Sequence, residues 1–89
     1  MKKNLGKRVS LMVYCKLIKA TEESAKYLMG GSVGDMTGIL VYNRKEDSFE
    51  VEKEPDESTV YKAHLKSMIC KYIEEFRKGI FKEKIGYEI

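Results

Sequence analysis

The sequence predicts an α+β domain. Its parts are an antiparallel meander of four strands, over about residues 8–19, 24–29, 36–43 and 48–53, and one long C-terminal helix, over about 56–78, packed on one face. Three observations predict it. Tyr61, Leu65, Met68, Ile69, Tyr72, Ile73 and Phe76 recur at spacings of three and four, which places them on one helix face. Upstream, apolar and polar residues alternate with period two, the spacing of half-buried strands. A chain of 89 residues is long enough for one core and too short for two.

Residues 1–6 read as a flexible basic arm. In the first strand Val9, Leu11, Val13, Cys15 and Leu17 share one side, assigned to the helix. Ser10, Met12, Tyr14, Lys16 and Ile18 share the other. Thr21 to Met29 supports two readings. As a helix, Thr21 caps it and Gly30 stops it. As a strand, Thr21–Ser24 is a hairpin loop, and Ala25, Tyr27 and Met29 alternate with Lys26 and Leu28. The strand is preferred, because two helical turns are marginal alone and short for a parallel crossover. The helical reading gives the order βαββαβ, a ferredoxin-like arrangement with the chain's tail as a strand.

Gly30 to Asp35 is a flexible loop, and Met36 to Asn43 a strand carrying Ile39, Leu40, Val41 and Tyr42. After a polar turn, residues 48–53 return with Phe49 and Val51 inward and Glu50 and Glu52 outward. Pro55 suits a first helical turn, and Asp56 or Ser58 can cap free amides. Gly79 is the expected left-handed stop, with Ile80 packing back on Phe76. Lys71 with Glu75 and Glu74 with Lys78 are spaced for ion pairs on the wet side. Ile85, Tyr87 and Ile89 alternate, so residues 80–89 form a docked tail or a short strand.

At 43 % apolar and 35 % charged the chain is too apolar for disorder. Its net charge of +3 hides a dipolar layout. Lys2, Lys3, Lys7 and Arg8 begin the chain; Glu46, Asp47, Glu50, Glu52, Glu54, Asp56 and Glu57 stand together against Lys53 alone. That argues against one continuous nucleic-acid footprint. No apolar run approaches the ~20 residues of a membrane span. Val9–Cys15 is too short and too abruptly ended by Lys16 for a signal peptide. Two cysteines, Cys15 and Cys70, make no disulfide framework and no zinc knuckle, and read as reduced cytoplasmic thiols.

The sequence offers little chemistry. His64, the only histidine, sits at the edge of the helix stripe, about 120° around the helix from Cys70, so the two form no Cys–His couple. Gly31-Ser32-Val33-Gly34 has the look of the nucleotide-clamping loop of KH domains, but a strand follows it where that family needs a helix. It lacks the Gly-Lys-Ser/Thr of a phosphate loop. The acidic run lacks the alternating ligands and central glycine of a calcium loop. No cofactor, metal or catalytic residue is expected, and the chain reads as a non-enzyme.

The order Tyr14-x-Lys16-Leu17-Ile18, Gly38-Ile39-Leu40-Val41-Tyr42 and Tyr61…Phe76-x-x-Gly79-x-Phe81 resembles small bacterial α+β proteins in which a few strands precede one helix. That resemblance implies a fold and no activity. The functional expectation rests on surplus apolar surface. One helix covers one sheet face. The first strand leaves Met12, Tyr14 and Ile18 on the second, and the third strand adds Ile39 with Val41 or Leu40 with Tyr42. Met12, Tyr14, Ile18, Leu40 and Tyr42 are the candidate interface. The expected function is a small cytoplasmic protein-interaction module, homodimeric through that face. The alternative is a weak nucleic-acid binder using the basic N-terminal arm.

Overall fold

The computed structural model describes residues 8, 9, 12–32 and 34–88. The elements are β1 (Arg8–Val9), β2 (Met12–Ala20), β3 (Ser24–Gly30), β4 (Gly38–Asn43), β5 (Ser48–Lys53), β6 (Ser58–Thr59), α1 (Lys62–Arg77) and β7 (Lys84–Glu88). β2 to β5 form the antiparallel meander, and β7 joins as a fifth strand in the order β5-β4-β3-β2-β7. Thr21 to Met29 is thus hairpin and strand, and the ferredoxin-like order does not occur. The Thr21 hydroxyl accepts the amides of Glu23 and Ser24, which closes a turn where a helix would have begun.

The inner face of the sheet carries Val13, Cys15, Ala25, Tyr27, Met29, Leu40, Tyr42 and Ile85, all buried. From the helix Leu65, Met68 and Phe76 are buried, with Ile69 and Tyr72 partly so. α1 lies nearer β2 and β7 than β5.

Several boundaries move. Arg8–Val9 does not extend the first long strand; it pairs in parallel with Ser58–Thr59 as a separate ribbon. The helix begins at Lys62, not near residue 56, and Asp56 and Ser58 do not cap it. The reason lies in the glycine-rich loop. Buried Asp35 accepts the Glu57 amide at 3.0 Å, and Thr37 Oγ1 accepts the Asp56 amide at 2.7 Å while donating to Asp35 Oδ1 at 2.8 Å. The amides that a helix start would have left free are held across the molecule, so the segment stays extended.

At the other end the Gly79 stop is as expected. Its φ is 79°, Gly79 N–H donates to Phe76 and Ile80 N–H to Glu75, a Schellman motif. Ile80 does not pack back; it is 51 % exposed. Phe81 packs there instead, 5.9 Å from the Phe76 ring. The ion pairs also differ. Glu75 pairs with Lys82 and Glu74 with Arg77, because the chain beyond the stop brings Lys82 within reach. The tail from Lys84 is a strand, and residues 1–6 and Ile89 lie outside the described residues.

Candidate functional site

The outer sheet face is read off the strand register. Met12, Tyr14 and Lys16 alternate with buried Val13 and Cys15, so they stand on the outer side. Ile18 lies at the bulge between Leu17 and Lys19 and is 47 % exposed. Leu40 and Tyr42, expected here, are on the inner face, 1 % and 0 % exposed. All four of Ile39 to Tyr42 are apolar, so alternation alone does not choose between the pairs. The Asn43↔Ser48 hairpin register does, setting Tyr42 opposite Phe49 and Val41 opposite Glu50. The outer pair is therefore Ile39 and Val41, with Leu28 beside Ile39.

One row of neighbours crosses all five strands: Lys84, Lys16, Leu28, Ile39 and Lys53, with Glu52 displaced beside Lys53 by a bulge. The next row is Lys19, Lys26, Val41 and Glu50. The face is thus basic at β2 and β7, apolar in the middle and acidic at β5. Lys53 is offset by Asp56 at 3.5 Å, and Lys26 by Glu52 at 3.7 Å. Lys16 stands directly opposite Lys84, and Lys19 opposite Lys26. Like charges in such positions repel. Among the described residues no carboxylate pairs with Lys16, Lys19 or Lys84.

Met12, Tyr14, Leu28, Ile39 and Val41 are each partly exposed. The β3–β4 loop brings Met36 to the lower edge, and a shallow depression of about 370 Å³ lies between it, Tyr14, Leu28 and Lys84. Among the described residues the tail does not cover this face, because Lys84–Glu88 extends the sheet sideways.

Other polar groups are dispersed. His64 is half-buried, its ring edge-on to Tyr61 at 5.5 Å and its Nδ1 without a hydrogen-bond partner among the described residues. Cys70 is exposed on the helix; Cys15 is buried, its sulfur 3.9 Å from that of Met68. Burial pushes the Cys15 thiol up to about 12, so it stays protonated and unreactive at neutral pH. Among the described residues no three His, Cys, Asp or Glu side chains are grouped to hold a metal ion. Among the described residues no helix is long and apolar enough to cross a membrane.

Sequence reasoning placed Lys16 on this face, without giving it a role, and missed Leu28 and Lys84 as members of it. Leu28 was legible from its alternation with Tyr27 and Met29. The lysines acquire meaning only once β7 is known to lie beside β2. Comparison with family models, curated proteins and solved structures finds no match.

Proposed function

We propose that this protein is a small cytoplasmic interaction module, not an enzyme, that self-associates by packing its outer sheet face on a second copy. The observation that carries the reading is the charge gradient across an apolar centre. A two-fold axis in the interface, parallel to the strands and passing near Leu28, sets the β5 side of one copy over the β7 side of the other. Glu50 and Glu52 then meet Lys16, Lys19 and Lys84 of the second copy twice over, and the apolar centres coincide. An axis perpendicular to the strands would set acid on acid, so the surface is self-complementary in one orientation. Five strands about 4.8 Å apart and about six residues long present on the order of 500 Å² per copy, near the ~1,000 Å² total that a specific interface needs.

Light scattering of the full chain at about 100 μM tests it, a concentration at which even a weak dimer with Kd near ~10 μM is mostly assembled. The expected mass is that of a dimer, and Leu28→Glu should give a monomer. Lys84→Glu should weaken assembly roughly tenfold, and adding Glu52→Lys should restore it. A monomeric wild type, or a dimer indifferent to Leu28→Glu, defeats the reading.

A further inference from the structure

We propose that the open cleft between β5 and α1 binds an extended peptide strand of a partner protein in which apolar and basic residues alternate. The cleft lies on the inner side of the sheet, but its outer rim at Glu50 and Glu52 is shared with the face proposed to self-associate, so peptide and second copy compete there. It measures about 520 Å³, within the ~300–1,000 Å³ of ordinary ligand sites. Its floor is Met29, Leu40, Phe49 and Val51, and its helix wall is Leu65 and Ile69.

Three features specify the occupant. β5 is an edge strand, paired only with β4 among the described residues, so it offers a line of backbone groups to an added strand. A strand docked there sends alternate side chains into the cleft and to the outer side. Inside, the floor accepts apolar groups, and the charged residues of the cleft are Lys62 and Lys66 on the helix wall with Glu50 and Glu54. Outside, Glu50 and Glu52 favour basic residues; Glu50, Lys62 and Lys66 make no ion pair among the described residues. A slip of one residue would turn the peptide's apolar residues to water and its basic residues onto the apolar floor, so the alternation fixes the register. A second β5 does not fit, because its own Glu50 and Glu52 would face these.

The test uses the full chain carrying Leu28→Glu, so that self-association does not interfere. If the wild type is already monomeric, it serves unchanged. The probe is a fluorescein-labelled peptide, Val-Lys-Val-Arg-Val-Lys-Val, read by fluorescence anisotropy at low salt. Saturable binding is expected, weakened at least ~10-fold by Glu50→Lys with Glu52→Lys. Of two peptides N-methylated at alternate residues, the one blocked on its pairing edge should not bind. Ile69→Trp, which fills the cleft, should abolish binding with an unchanged circular dichroism spectrum. Equal binding of both N-methylated peptides, or indifference to Ile69→Trp, overturns the proposal. So does binding that requires removal of residues 1–7, which would make this chain's own basic residues the occupant. Either result leaves the outer-face dimer standing, and a failed dimer leaves this cleft standing.

Discussion

The two ends of the helix are built in opposite ways. At its C-terminus Phe76 is 1 % exposed, with the Tyr42, Phe49, Phe81 and Tyr27 rings at 5.3, 5.4, 5.9 and 6.0 Å. Arg44 donates to the Arg77 carbonyl at the end of the helix, and to that of Glu22 in the neighbouring hairpin turn. Arg77 pairs with Asp47, which also accepts the Tyr42 hydroxyl at 2.9 Å. Both hairpin turns are thus fastened to the helix end, and cations sit where its dipole is negative. At the N-terminus Tyr61 offers no side-chain cap, the first turn has no acidic residue, and a 520 Å³ cleft opens alongside. The core is closed where aromatic rings fill it and open at the cleft between β5 and the N-terminal half of the helix. A binding region belongs at the end that contributes less to stability.

The strongest way to break this contrast is to empty the closed end. Phe76→Ala should cost about 3–5 kcal/mol, a full aromatic lost from a packed site. Ile69→Ala, at the cleft wall, should cost about 1–2 kcal/mol, because that side chain is already partly wet. Urea denaturation of the two variants compares them. Equal costs would mean that the cleft is as well filled as the aromatic end.

Asp35 is the next lever, since it holds the segment that delivers the chain to the open end. Asp35→Ala leaves the Thr37 hydroxyl and the Glu57 amide without their shared acceptor and should cost about 2–3 kcal/mol. Hydrogen exchange should quicken at Asp56 and Glu57 and stay unchanged at Ile80, on the far end. Uniform quickening would show that the ends are not separable.

How much of this was legible in the sequence follows the same division. The closed end was readable in part: Gly79 as a stop, Arg77 at the last turn and Phe76 in the stripe are local signals. Phe81 was not chosen over Ile80, because which one returns to the core depends on the path of the chain after Gly79. The open end misled. Pro55, Asp56 and Ser58 have the composition of a helix start, yet Asp35 and Thr37, some twenty residues away, take the amides that such a start needs. No local pattern encodes that competition. The outer face was half legible: the parity of β2 followed from Lys16 among apolar neighbours, while the uniformly apolar Ile39–Tyr42 carried no parity.

Alkaline pH should act on the core beneath the helix. Burial is the main cause in each case: Cys15 is raised from 9.0 to about 12, and Tyr27 and Tyr42 are raised above 10.0, Tyr42 also by its bond to Asp47. The unfolded chain releases these protons first, so the stability they provide is full below pH 9 and falls as pH rises through the folded values. The slope is at most about 1.4 kcal/mol per pH unit for each group. Between pH 9 and 10 the fall belongs to Cys15, and Cys15→Ala should flatten it there. Tyr42→Phe should flatten the curve only above pH 10. A curve flat to pH 11 in the wild type would contradict the burial of all three.

The smallest effect is the most direct probe of the open end. Tyr61 has φ −70° and ψ 141°, the backbone of an N-cap residue, but its side chain is 44 % exposed and makes no cap hydrogen bond. Tyr61→Asp keeps that backbone, supplies an acceptor for the amide of Ala63 or His64, and sets a negative charge at the positive end of the helix. The ring contact it gives up is an edge contact with His64 at 5.5 Å. The gain should be about 0.5–1 kcal/mol, read as a higher urea midpoint with an unchanged slope. Neutral Tyr61→Asn separates the cap from the charge and should keep most of the gain in high salt, where Tyr61→Asp loses its electrostatic part. A loss on both substitutions would mean that Tyr61 covers the mouth of the cleft more than it starts the helix, and the two ends would then differ less than their hydrogen bonds suggest.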